Sequence, residues 1–107
     1  IVLVANTYPK SSQEFKEVFG IASRMYPDNT VAKLNTGAME LETGAVDNAI
    51  RRLEGINLPE AWNNVGVAYA QKGDYQKAQE YLNRAVQAGN GTAKNNAEQL
   101  KKYLESK

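Results

Sequence analysis

A repeat with a period of 29 residues is the feature of this sequence that most constrains its fold. Four small or apolar residues in the middle of the chain recur 29 residues further on: Gly37, Gly44, Ala49 and Leu53 correspond to Gly66, Gly73, Ala78 and Leu82. A period in this range is typical of arrays in which one supersecondary unit stacks on the next. Glycine lets a neighbouring helix approach closely and permits the left-handed turn that ends a helix. The spacing therefore predicts stacked helical hairpins.

Proline and glycine divide most of the chain into helix-sized segments. Ser11 and Glu14 form a capping box, and Pro27 closes the apolar pattern that follows it. Four further helices are predicted over residues 30–44, 46–55, 59–73 and 75–89, and Thr92 is expected to cap a last one. We therefore expect an all-α fold. It is a right-handed superhelical stack of antiparallel helix pairs, with about six helices and a short extended N-terminal segment.

The first five residues differ from the rest, because Ile1–Ala5 is an unbroken apolar run rich in β-branched side chains. This pattern is typical of a short buried strand. A lone strand cannot satisfy its own backbone, so in one interpretation the chain begins inside a larger protein whose upstream part supplies the partner. In the other, the run is an ordered arm that lies on the helices. The sequence leaves both open.

The composition argues against a catalytic role. The 107-residue chain has no histidine and no cysteine, which removes Ser–His and Cys–His nucleophile pairs and the common zinc sites. No glycine-rich phosphate loop is present. We therefore expect no catalytic residue, no metal and no cofactor. A net charge of +1 gives no reason to expect nucleic acid as a partner, and the longest apolar run is too short for a membrane span.

The segment Pro59–Asn90 resembles the tetratricopeptide repeat. Small and large residues occupy the signature places of that family: Trp62, Gly66, Tyr69, Gly73, Ala78 and Ala85. Trp62, Val65, Gly66 and Tyr69 share one face of the predicted helix and are expected to form its core stripe. A proline usually closes the repeat, and Asn90 stands in its place here.

The resemblance divides the single domain into five parts. Residues 1–10 form an extended arm, residues 11–29 a helix of a partial repeat, and residues 30–58 a degenerate repeat. Residues 59–91 form the well-formed repeat, and residues 92–107 a helix that caps the array. A looser similarity to cell-envelope proteins that end in a degenerate repeat pair favours the C-terminal part of a larger protein, in the periplasm or cell envelope rather than the cytoplasm.

The resemblance also implies a binding face. In the family, the first helix of each repeat lines a concave groove that binds peptides. Here that implies contacts centred on three residues, with two more at the margins: Asn63, Asn64 and Val67, then Gln71 and Lys94. Neighbouring asparagines are able to clamp an extended backbone because each amide offers donors and an acceptor. The alternative is that Asn63 and Asn64 are ordinary exposed polar residues. The family's clamp for an acidic C-terminus needs basic residues in a pattern that is incomplete here.

Two functional hypotheses follow. The first is a non-catalytic protein–protein interaction module that presents its concave face to a peptide or a partner domain. The second is a structural domain that packs against the upstream part of its own chain. The tripeptide Asn90–Thr92 fits the acceptor pattern for N-glycosylation, but a helix start explains it equally well.

Overall fold

The computed structural model describes residues 2–7 and 28–107, and these confirm the all-α expectation. The described residues form five helices: α1 (Asp28–Thr43), α2 (Val46–Leu53), α3 (Pro59–Lys72), α4 (Tyr75–Gln87) and α5 (Gly91–Glu105). The helix expected between Ser11 and Pro27 lies outside the described residues. Across the described part of the chain, no helix combines the length and apolarity that crossing a membrane requires.

Helices adjacent in sequence pack on one another from α1 through to α5, and α3 also touches α1 and α5. This places α3 at the centre of the stack. Short connections of two to five residues make successive helices antiparallel. The central position explains why α3 contributes more buried residues than any other described helix, including Ala61, Val65 and Ala68.

The 29-residue repeat is visible in the contacts of its equivalent residues. A Cβ atom added to Gly37 would lie 2.7 Å from the side chain of Leu53, and one added to Gly66 would lie 2.8 Å from that of Leu82. In both pairs a leucine of the second helix fills the space that the glycine leaves empty. Gly44 and Gly73 also match, since each has a φ of +88°. The period in the sequence therefore corresponds to two hairpins packed in the same way.

Helix starts follow the expected chemistry in two places and differ in one. Pro59 opens α3, and the carboxylate of Asp74 accepts a hydrogen bond from the Lys77 N–H at the start of α4. The expected cap of the last helix was wrong. Asn90 caps α5, because its Oδ1 accepts from the Ala93 N–H at 2.7 Å. Thr92 is already inside the helix.

The core stripe of α3 is only partly enclosed. Val65 and Gly66 are buried as expected, whereas Trp62 and Tyr69 are half-buried at the edges of the core clusters. The Arg84 guanidinium lies over the Trp62 ring at 5.6 Å, and Tyr69 stacks on Tyr81 with ring centroids 5.8 Å apart. Large aromatic rings are seldom fully buried, and these two fill the space between α3 and α4 while one edge stays in water.

Candidate peptide-binding groove

Residues 2–7, the N-terminal arm, lie against α3 and α5 as an extended segment without strand hydrogen bonding. The strand interpretation of the apolar N-terminus is therefore wrong for these residues, and the alternative of an arm lying on the helices is what the structure has. The helical surface under the arm, called the groove below, is formed by an apolar cluster that includes Val67 and by five residues that bond the arm: Asn63, Asn64, Asn90, Thr92 and Asn96. The groove holds the arm chiefly through side-chain amides.

The first clamp is on the backbone of Val4. Its N–H donates to Asn96 Oδ1 at 2.9 Å, and its carbonyl oxygen accepts from Asn96 Nδ2 at 2.8 Å. The same carbonyl also accepts from Asn63 Nδ2 at 3.0 Å. One asparagine side chain thus pairs with both backbone groups of a single residue, as the residue directly opposite does in an antiparallel sheet.

The second clamp repeats the first two residues further along the arm. The Asn6 N–H donates to Asn64 Oδ1 at 2.6 Å, and the Asn6 carbonyl accepts from Asn64 Nδ2 at 2.9 Å. In an extended chain, the N–H and C=O of residues i and i+2 point to the same edge. Two asparagines on one surface therefore hold alternate residues without requiring any particular side chain there.

The asparagines under the arm also bind one another. Asn63 Oδ1 accepts from Asn96 Nδ2 at 2.8 Å, and Asn63 Nδ2 donates to Asn64 Oδ1 at 3.2 Å. Asn63 and Asn64 are fully buried, and Asn96 is 2 % exposed. Within the described residues, every buried side-chain N or O atom has a hydrogen-bond partner. A buried network that is satisfied in this way holds its amides in one orientation.

The side chain of Asn6 makes a further pair of contacts. Its Nδ2 donates to Thr92 Oγ1, and its Oδ1 accepts from Asn90 Nδ2, both at 3.1 Å. Asn90 therefore has two roles, since its Oδ1 caps α5 while its Nδ2 binds the arm. The residue that stands in place of the repeat's usual closing proline therefore binds the arm.

Apolar contacts alternate along the arm. Leu3 and Ala5 are half-buried and pack against core clusters, one of which includes Val67. Val2 and Val4 are 89 % and 60 % exposed. This period of two is that of an extended chain with one face on a surface. The groove therefore takes the side chains of Leu3 and Ala5 and leaves those of Val2 and Val4 in solvent.

The five residues expected to bind a partner divide into two groups. Asn63 and Asn64 bind the arm, and Val67 belongs to the buried cluster against which Leu3 and Ala5 pack. Gln71 and Lys94 are exposed and make none of the hydrogen bonds to Val4 or Asn6. The expected exposure of the two asparagines was wrong, because the arm covers them. That these five residues bind a separate partner stays a prediction.

Three further residues of the groove were not expected from the sequence to lie on the binding face: Asn90, Thr92 and Asn96. The position of Asn96 in the sequence could have indicated that it is buried. It lies three residues after Ala93 and four before Leu100, both fully buried, so it occupies the apolar stripe of α5. A polar residue at a stripe position predicts a buried hydrogen-bond partner. Asn90 and Thr92 had no comparable signal beyond their place at a helix start.

Two ion pairs join neighbouring helices and take no part in the hydrogen bonds of the arm. Arg52 Nε and Glu40 Oε1 are 2.6 Å apart between α2 and α1, and Lys72 Nζ and Asp47 Oδ1 are 2.7 Å apart between α3 and α2. The hydrogen bond from each cation lowers the pKa of its carboxyl partner, Glu40 or Asp47. The hydrogen bonds between the groove and the arm all join uncharged groups, so neutral amide pairing is what the groove offers a ligand.

Comparison with known families finds a match for the helical hairpin that contains Asn63 and Asn64. Residues 59–88, which span α3 and α4, match the family model of the tetratricopeptide repeat. No curated protein and no solved structure matched the chain. The general role of this repeat is protein–protein interaction, and it is typically non-catalytic. From its sequence match and its helical hairpin, residues 59–88 of this chain are a tetratricopeptide repeat.

Proposed function

We propose that this chain is a peptide-binding interaction module whose groove holds an extended segment by its backbone. The observation that supports this most directly is the pair of asparagine clamps. Asn96 binds both backbone groups of Val4, and Asn64 binds both backbone groups of Asn6. A surface built in this way accepts an extended peptide from any source, because every non-proline residue has the same N–H and C=O.

The energetics favour an occupied groove of moderate affinity. Each hydrogen bond of this kind contributes about 0.5–1.5 kcal/mol net, since water competes for the same groups. Five bonds to the backbone, two half-buried side chains and the ordering of the peptide together give an affinity on the order of micromolar for a separate peptide. The bonds join neutral groups, so binding should change little with salt. This separates the groove from clamps that hold an acidic C-terminus by lysine or arginine.

A second candidate function is structural, and one observation favours it: the segment in the groove is residues 2–7 of the same chain. In this case the groove fastens the preceding part of the chain to the helices. The two candidates use the same contacts and differ in whether the arm leaves. Exchange of the arm for another peptide is the property that distinguishes them.

The test uses the full chain and a synthetic probe, the peptide IVLVANTY, which has the sequence of residues 1–8 and a fluorescein label at its C-terminus. The double substitution Val4→Pro/Asn6→Pro removes the two N–H groups that donate to Asn96 and Asn64, together with the Asn6 side chain. The arm of this arm-blocked variant keeps only the bonds to its carbonyl groups, so it should compete weakly with the probe. We expect this variant to bind the probe with micromolar Kd in fluorescence polarisation. Adding Asn64→Ala should weaken binding at least tenfold, and adding Asn83→Ala, an exposed asparagine of α4, should not.

Absence of probe binding to the arm-blocked variant, with its helical circular dichroism intact, would rule out the proposal. The unsubstituted chain then decides between the two candidates. Probe binding to it shows that the arm exchanges, as an interaction module requires. Binding confined to the arm-blocked variant shows that the groove serves its own chain.

A further inference from the structure

The backbone clamps cannot distinguish one peptide from another, so any selectivity of the groove must come from side chains. Among residues 2–7, Val2 and Val4 are exposed, and Leu3 and Ala5 make apolar contacts that many side chains satisfy. Asn6 is different, because its side chain makes two hydrogen bonds with the helices, to Asn90 and to Thr92. Asn6 is therefore the residue whose side chain the groove is best placed to recognise.

The orientation of these groups is fixed by a backbone donor. The Ala93 N–H can only donate, so it requires the Oδ1 of Asn90 at the start of α5. The Nδ2 of Asn90 then points to the arm, where it needs an acceptor, and the Oδ1 of Asn6 supplies one at 3.1 Å. The Nδ2 of Asn6 is thereby directed to Thr92 Oγ1. The helix cap thus determines which edge of the carboxamide faces which partner.

This arrangement distinguishes asparagine from its closest analogues. Leucine has nearly the same shape but neither donor nor acceptor, so it would leave Asn90 Nδ2 without its partner. Aspartate keeps the acceptor for Asn90, and its second oxygen would accept from the Thr92 hydroxyl instead of donating to it. What opposes aspartate is its charge, which would lose hydration beside the helices. Glutamine places the same amide one methylene further from the backbone clamp. Of these four side chains, asparagine makes both contacts without adding a charge or moving the amide.

We propose that Asn90 and Thr92 form a carboxamide-reading pocket that selects extended peptides with an asparagine at the position of Asn6. The ligand class is an extended segment of the pattern apolar, any residue, small apolar, asparagine, as in Leu3 to Asn6. This inference rests on the proposed function, because it assigns specificity to the same groove. The backbone clamps supply binding, and the pocket supplies discrimination.

The test uses the arm-blocked variant described above and four labelled peptides. The parent peptide IVLVANTY should bind most tightly. Replacing its asparagine by leucine should weaken binding roughly tenfold, as expected for the loss of two hydrogen bonds, and aspartate should be intermediate. The control peptide IVLAANTY changes the exposed position of Val4 and should bind like the parent. Equal affinity for the asparagine and leucine peptides would overturn the pocket while leaving the proposed function intact.

A second measurement substitutes a residue of the pocket and compares the preference for the asparagine peptide over the leucine peptide. Thr92→Val removes the hydroxyl but keeps the shape, and Thr36→Val on the exposed face of α1 is its matched control. In the Thr92→Val background, the preference for asparagine over leucine should fall by severalfold, because one of the two contacts is gone. An unchanged preference would show that the selectivity has another origin and would also overturn the proposal. Failure of every peptide to bind would instead contradict the proposed function itself.

The same contacts can be followed in the full chain with its own arm in place. Amide hydrogen exchange at Val4 reports whether the arm is docked, since this N–H is bonded to Asn96. Asn6→Leu and Thr92→Val should each accelerate exchange at Val4 severalfold, although neither residue touches that N–H in the structure. Unchanged exchange in both variants would show that the Asn6 side chain contributes nothing to docking, which excludes the pocket.

Discussion

At the scale of single residues, the array depends on positions where a side chain is missing. Gly66 lies where the Leu82 side chain and the carbonyl oxygen of Ala78 approach α3, so a Cβ atom there would lie 2.8 Å and 3.2 Å from them. The leucine can shift slightly, but the backbone carbonyl of α4 cannot shift without moving its helix. Gly66 therefore sets the distance between the two helices of the repeat.

We expect Gly66→Ala to lower the free energy of unfolding by about 1–2 kcal/mol, because overpacking of 1–3 kcal/mol outweighs the better helix propensity of alanine. Gly91→Ala is the matched control. It lies at the start of α5, where a Cβ atom would meet nothing within 4 Å, and it should be neutral or slightly stabilising. Urea unfolding measures both. A Gly66→Ala variant as stable as the control would contradict the close approach of α3 and α4.

The positions of the binding asparagines Asn63 and Asn64 could be predicted from the sequence, but their burial could not. Asn63 and Asn64 were singled out because adjacent amides on the binding face of a repeat suit an extended backbone, and the structure places both under the arm. Their burial was missed, because the cover comes from residues about 58 positions away in the sequence. The pairing of Asn90 with Asn6 was missed for the same physical reason. Local periodicity cannot show which distant segment supplies a partner.

At the scale of helices, boundaries were largely predictable because each has its own local chemistry. Gly44, Gly73 and Gly89 have φ values near +90°, which glycine adopts without strain, and each ends a helix where expected. The start of α5 was not predictable in the same way. Both Asn90 and Thr92 are good caps, and the one that caps α5 is the one whose side chain also binds the arm.

The ion pair between Glu40 of α1 and Arg52 of α2 should make stability depend on pH in the acid range. The Arg52 hydrogen bond lowers the pKa of Glu40 from its ordinary value of 4.5. A carboxyl group whose folded pKa is depressed adds stability above its unfolded pKa, and this stability is lost as pH falls through the folded pKa. Thermal stability should therefore decrease as the pH is lowered below about 4.5, with a further contribution from Asp47.

Glu40→Gln should make this acid dependence shallower, since the variant has no carboxyl group to protonate at that position. Glu80→Gln, which removes an exposed carboxylate of α4, serves as the control and should follow the unsubstituted chain. Thermal unfolding followed by circular dichroism at several pH values between 3 and 6 makes the comparison. Identical pH profiles for the Glu40 variant and the unsubstituted chain would mean that the Glu40–Arg52 pair does not contribute to stability.

At the scale of the whole molecule, the arm is part of the packed structure. It joins α3 to α5 from outside, since Asn63 and Asn96 share the Val4 carbonyl, and Leu3 packs against clusters on both sides of α3. The arm covers three buried asparagines and packs two apolar side chains of its own against the core clusters. Undocking of the arm should therefore lower the stability of the helical stack.

The arm-blocked variant Val4→Pro/Asn6→Pro should consequently be less stable than the unsubstituted chain by about 1–3 kcal/mol, the range for a few lost hydrogen bonds and partly buried side chains. The slope of its unfolding free energy against urea concentration should also be slightly smaller, because less surface becomes exposed when the variant unfolds. Equilibrium urea unfolding gives both quantities. Proline substitutions at Val2 and Thr7, which make none of these backbone bonds, are the control, and equal losses in the two variants would contradict a docked arm.

The two-residue spacing of the clamps has a consequence for how the arm finds its register. If the arm slid along the groove by two residues, Asn96 would pair with Val2 and Asn64 with Val4, and the backbone hydrogen bonds would be the same. A slide by one residue would turn the buried side chains outward, so it is excluded by packing. Slippage by two is opposed only by side chains, above all by the carboxamide of Asn6 between Asn90 and Thr92. The residue that gives the groove its selectivity is therefore also the residue that keeps its own segment in place.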